Sequence, residues 1–211
     1  MVEDKSFRTN LGLNNLGDRL STVNVELIGA DGKPITSAVT AQIAPQGLLQ
    51  INRIVSYLSV NSSSLPTAQG YLRLTADQPI LAFASQIDNA SDDPSISTGV
   101  SSGSRSLLLQ ASANTNFRSS LFVVNPNASA VEVTLTSREG GASNNGVVTA
   151  TSTRQIPANG LVIIENLLQE LGASSSLGPV EIRCALPVIA VSRVYNPDGN
   201  TSGFLEAKAV Q

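Results

Sequence analysis

Valine, leucine and isoleucine alternate with polar residues in short bursts along this chain. In "TVNVEL" the apolar positions are Val23, Val25 and Leu27, and in "AVEVTL" they are Val131, Val133 and Leu135. A period of two predicts half-buried β-strands, and the Val- and Thr-rich composition of these bursts agrees with that. The separators carry turn chemistry: Asp31-Gly32, Asn145-Gly146 and Asp198-Gly199 are dipeptides that accept positive φ in tight hairpins. Two stretches change period. "INRIVSYLSV" places Ile51, Ile54 and Val55, and "IENLLQELGA" places Ile164, Leu167 and Leu168, at i, i+3 and i+4. Each predicts one short helical turn. No helix long enough to cross between parallel strands is foreseen, so the pattern predicts an all-β, antiparallel sandwich architecture.

The bursts recur in order. "FRTNLGLNN" from Phe7 returns as "FRSSLFVVN" from Phe117, and "QIAPQGLLQINRIV" from Gln42 returns as "QIPANGLVIIENLL" from Gln155. "YLRLTADQPILAFAS" from Tyr71 faces "VEIRCALPVIAVSR" from Val180, aligning Pro79 with Pro187. Such ordered self-similarity reads as a tandem duplication. It predicts two tandem antiparallel β-sandwich (Ig-like) domains, residues 1–105 and 106–211, with the boundary inside 101–117. The Ser/Gly-rich "STGVSSGSRS" (Ser97 to Ser106) has the composition of a flexible connection. Beyond it "LLLQAS" (Leu107 to Ser112) reads as a strand that either sandwich could own. The terminal "FLEAKAVQ" resembles that strand.

The opening F-R-T-x-L-x-L-x-N, the middle P-x-G-L-x-Q-I-N and the closing "QPILAFASQIDNASDDPS", with "LPVIAVSRVYNPDG" as its variant in the second copy, together cover most of the chain. This set resembles a β-sandwich repeat of secreted and surface-attached bacterial proteins. The resemblance implies an extracellular or cell-surface module. Its motifs are structural and carry no assigned chemistry.

Composition narrows the function. Charged residues make up 14 % of the chain, against about 25 % in typical soluble domains, so the polar surface is built mainly from Ser, Thr, Asn and Gln. The net charge is −3, and lysine occurs only at Lys5, Lys33 and Lys208. That leaves no cationic cluster to displace counterions from nucleic acid. No apolar run approaches the roughly 20 residues of a membrane-spanning helix, and "MVEDKSFRTN" has no apolar signal core, so any signal peptide is expected to be absent from this chain. Histidine is absent, which removes the commonest general base and metal ligand. No serine has a histidine to deprotonate it, and Glu165, Glu170, Glu181 and Glu206 form no convergent pair. A catalytic role is not expected. The one cysteine, Cys184, alternates with Val180 and Ile182 and reads as a small core residue.

Candidate chemistry lies in the loops. Asp88, Asn89, Asp92 and Asp93 cluster in one closing block, and Asn196, Asp198 and Asn200 in the other. Hard oxygen ligands on a loop suit Ca²⁺ as a cofactor, although EF-hand spacing fails with Thr201 and Ala207 at the sixth and twelfth positions. Asp and Asn also populate turns because they form Asx-turns and tolerate left-handed backbone. Arg8 and Arg118 head the two copies and could meet a local carboxylate or a ligand's. Leu107, Leu108, Leu109, Phe204 and Leu205 are candidate strand-pairing residues. The expected function is a non-catalytic extracellular structural or adhesive module that pairs edge strands with itself, as an oligomer or filament. The alternative is an accessory module of a larger secreted protein that binds a cell-surface protein or glycan.

Overall fold

The computed structural model describes residues 2–59, 68–141, 145–174, 176–197 and 202–210. The chain is all-β with antiparallel pairing throughout, and it divides into two compact units, Met1–Gly99 and Val100–Gln211. The division thus falls just before the 101–117 window that composition suggests.

The first unit runs β1 (Val2–Glu3), β2 (Phe7–Asn15), β3 (Ser21–Ile28), β4 (Val39–Ile43), β5 (Leu48–Ile51), α1 (Ile54–Leu58), β6 (Ala68–Gln69), β7 (Tyr71–Ala76), β8 (Ile80–Asp88) and β9 (Pro94–Thr98). One sheet has the order β5-β2-β8-β9 and a second β4-β3-β7, while β1 pairs β6. Alternation puts Leu11 and Leu13 of β2 and Val23, Val25 and Leu27 of β3 into one core, all buried. The short α1 adds Ile54, Val55 and Leu58 to that core. Within β2 the Phe83 ring lies over Gly12: a Cβ there would sit 2.1 Å from the ring.

The second unit runs β10 (Ser104–Ser112), β11 (Arg118–Val124), β12 (Val131–Arg138), β13 (Val148–Ile156), β14 (Leu161–Ile164), α2 (Leu167–Glu170), β15 (Leu177–Tyr195), β16 (Ser202–Glu206) and β17 (Lys208–Ala209). Its core repeats the scheme with Leu121, Val123, Val131, Val133, Leu135, Leu167 and Leu168. Here one strand of 19 residues, β15, serves both layers. Its first half pairs β10 and β12, and its second half pairs β11 and β16. In the first unit the same path is broken into β7 and β8 by Asp77-Gln78-Pro79. Proline lacks the N–H that a continuing ladder needs and restricts the residue before it. In β15 the matching crossing Ala185-Leu186-Pro187 also ends in proline, yet the strand runs through it unbroken.

The strand containing Leu107, Leu108 and Leu109 belongs to the second unit. Leu107 pairs with Ile182 and Leu109 with Val180, and both leucines are buried while Leu108 faces solvent. The terminal segment has a different partner from the one its resemblance to "LLLQAS" suggests. Phe204 pairs with Arg193 and Leu205 with Ser192 on β15, so this segment occupies the place that β9 takes in the first unit. Beyond it Ala209 and Lys208 pair with Leu107 and Leu108. Both stretches therefore already hold backbone partners inside their own chain.

Candidate functional site

Among the most deeply buried polar side chains are the asparagines at the end of the opening motif. Asn15 and Asn125 are 1 % and 0 % exposed. The Asn15 amide donates to the carbonyls of Arg19, Ile43 and Ala44, and its oxygen accepts from the Gly17 N–H. Asn125 does the same with Ser129, Ile156 and Pro157, and its oxygen accepts from the Asn127 N–H. Each amide satisfies carbonyls that two loops would otherwise bury unpaired. Sequence reasoning assigned these asparagines no role. The signal that could have found them is their identical place at the end of two otherwise divergent motifs.

The acidic loop of the first unit is organised from within. Asp88 Oδ1 accepts from the N–H groups of Ala90 and Ser91, an Asx-turn. Asp92 takes a left-handed φ of 58°. Arg8 donates from Nη1 to Asn89 Oδ1 at 2.8 Å and from Nη2 to Asp92 Oδ1 at 2.7 Å. The Asn89 amide donates onward to the Lys5 carbonyl. A guanidinium thus ties the Asn89 and Asp92 side chains together across this turn. Asp93 stands half-buried beside them. Of the matching residues in the second unit, Asn196 is half-buried directly after β15, while Asp198 and Asn200 lie outside the described residues.

The glutamates weighed for catalysis have separate partners. Glu165 accepts from the Ser120 hydroxyl, and Glu170 from the N–H groups of Glu165 and Asn166. Glu181 meets Arg183 at 2.6 Å and Arg138 at 3.6 Å, and Glu206 meets Lys208 at 3.7 Å. The Arg183 hydrogen bond holds the Glu181 carboxyl below the usual carboxylate range. Cys184 is half-buried against the core, and burial pushes its thiol up, away from the reactive thiolate. Tyr195 donates its hydroxyl to the Glu165 carbonyl at 3.1 Å.

The units differ where the opening strand meets the helical turn. In the first, Glu3 precedes the turn made by Asp4, whose Oδ1 accepts from the N–H groups of Ser6 and Phe7. Glu3 is buried: Oε2 accepts from the Val55 N–H at 3.2 Å, Oε1 accepts from the Ser56 hydroxyl at 2.7 Å, and Arg53 Nε lies 3.3 Å away. In the second unit Ala113 precedes the same turn, made by Asn114 with Asn116 and Phe117. Without a carboxylate arm there, a cleft of about 320 Å³ opens among Ala113, Asn114, Arg118, Asn166, Leu168 and Gln169. Arg118 is exposed at this cleft, and among the described residues its guanidinium has no ion-pair partner, whereas Arg8 is tied to Asp92.

No family model and no curated relative matches the chain. Among solved structures it is similar to the crystal structure of Thermotoga maritima 1070, with 11 % identity and a TM-score of 0.43 over 51 % of this chain and 96 % of that one. It is also similar to Bacteroides uniformis beta-glucuronidase, with 13 % identity and a TM-score of 0.19 over 99 % of this chain and 25 % of that one. The chain therefore spans a quarter of that enzyme's length. At these scores neither likeness carries an argument about activity.

Proposed function

We propose that the chain is a non-catalytic structural or adhesive module of the extracellular space or cell surface, joining neighbours through backbone pairing at a strand edge. The observation that carries this reading is the edge of β7. That strand pairs β3 on one side, and among the described residues no strand pairs it on the other. An unpaired edge in a sheet is a ready template for another chain. Sedimentation velocity over a hundredfold concentration range tests the reading, with growth into larger species expected. A concentration-independent species of 21.9 kDa would turn it toward the accessory-module alternative.

The cleft at Ala113 favours that second reading. In the first unit the matching place holds a carboxylate, that of Glu3, so the cleft suits a small carboxylate or a polar group of similar shape. Arg118 is its charged contact. Titration with acetate, followed by the amide signals of Ala113 and Arg118, tests it: saturable shifts support a ligand site, and unmoved signals remove it.

A further inference from the structure

The duplication supplies an internal comparison for the cleft at Ala113. The opening segments align Glu3 with Ala113, since Asp4 and Asn114 make the same turn directly after them. Strand register aligns the facing wall. Leu11 pairs with Ile51 and Leu121 with Ile164, which sets Val55 against Leu168 and Ser56 against Gln169. In the first unit the Glu3 side chain joins the two walls. Its carboxylate accepts from the Val55 N–H at 3.2 Å and the Ser56 hydroxyl at 2.7 Å, with Arg53 Nε 3.3 Å away.

In the second unit the donors persist and the acid is gone. Among the described residues the Leu168 N–H has no partner, and neither has the Gln169 side-chain amide nor the Arg118 guanidinium. Asn166 stands where Arg53 stands in the first unit, so the positive charge comes from Arg118 instead. Its counterpart Arg8 is already held by Asn89 and Asp92. Arg118 is the one charged residue lining the cleft, and its sign is opposite to the net charge of −3 on the chain. Amide donors around an unpaired guanidinium select an anion that accepts several hydrogen bonds at once. Shape narrows the anion further. The cleft of about 320 Å³ holds more than a bare carboxylate, and Ala113 and Leu168 give it an apolar side along which methylene groups can lie.

We infer that this cleft receives a glutamate side chain from a partner polypeptide, its carboxylate meeting Arg118, the Leu168 N–H and the Gln169 amide. The inference rests on the reading of the cleft as a carboxylate site and names its guest. The guest contributes a side chain and no strand, because the backbone lane beside the cleft is taken: the Ala113 N–H donates to the Ser176 carbonyl at 2.8 Å. What the first unit supplies from its own opening segment, the second takes from a neighbour.

The test uses the full chain and the peptide acetyl-Ser-Val-Glu-Ser-amide, whose blocked ends leave glutamate as its only carboxylate. Saturable shifts of the Arg118, Leu168 and Gln169 amide signals are expected. The same peptide with glutamine in place of glutamate should bind at least about tenfold more weakly, and so should the glutamate peptide to Arg118→Gln, an exposed substitution that leaves the fold intact. Equal binding of the two peptides, or full binding to Arg118→Gln, overturns the inference. Acetate and galacturonic acid are titrated alongside. If acetate binds as tightly as the glutamate peptide, or galacturonic acid binds more tightly, the carboxylate site stands and its polypeptide guest does not. If neither acetate nor the peptide moves these signals, the reading of the cleft and the inference fall together.

Discussion

The two units are built from closely matching strand pairings and differ in how completely they are closed. In the second, β10 covers one flank of the core and β15 runs unbroken through both layers. In the first, that flank ends at β7, and the path between layers is interrupted at Asp77-Gln78-Pro79. The reverse holds at the helical end, where Glu3 fills the first unit and Ala113 leaves the second open. Closure is therefore set locally, by one strand or one side chain, on a shared frame of alternating valines and leucines. A frame that tolerates either state can present an opening without losing its core.

Substitutions on matching strands probe the contrast most strongly. Leu109→Ala empties a fully packed position and should cost about 2–5 kcal/mol in urea unfolding. Leu72→Ala, at the half-buried rim, should cost about 1 kcal/mol. Equal losses would mean that the first flank is as closed as the second. The asparagine anchors should behave alike in both units: Asn15→Ala and Asn125→Ala each strand several buried carbonyls and should cost about 2–3 kcal/mol. A large asymmetry between them would show that the two loops are not held in the same way.

Exchanging the residues at the helical end gives a smaller effect. Glu3→Ala strands the Val55 N–H and should lower stability by about 1–2 kcal/mol. Ala113→Glu should leave stability within about 1 kcal/mol and abolish any acetate response at Arg118. Persistence of the response would place the ligand elsewhere. Acid should have the mildest effect. Arg73 hydrogen-bonds Glu26, and Arg183 hydrogen-bonds Glu181, holding both carboxyls below their ordinary value. A depressed carboxylate stabilises the fold above its unfolded pKa of about 4.3, and that contribution is lost as pH falls through the lower folded value. Melting temperature should therefore decline below about pH 4, with a shallower slope in Glu26→Gln and Glu181→Gln. An unchanged slope in both variants would remove these pairs from the account.

Much of the frame was legible in the sequence because it depends on period. Val131, Val133 and Leu135 alternate and are buried, and Ile54 and Val55 fall on a short helix as spaced. Strand ownership was less legible. Nothing in "LLLQAS" says which neighbour it pairs with, since that depends on contacts distant in the chain. The likeness of "FLEAKAVQ" to it reflects shared alternation, which any half-buried strand has. The Asp88 to Asp93 turn could be read from its residue types, but its Arg8 partner could not be chosen over a ligand without geometry. Glu3 was invisible for a related reason: a carboxylate near a terminus is ordinarily solvated, and only folding brings it to Ser56 and Val55.

The unbroken β15 bears on how the second unit opens. A single backbone shared by two layers ties their fates together, because freeing it from β12 at one end strips order from the stretch that β11 and β16 hold at the other. Partial melting of one layer is penalised, and the unit should open as one cooperative block. In the first unit, β7 and β8 meet through a loop, so the β4-β3-β7 layer can loosen while β5-β2-β8-β9 stays intact.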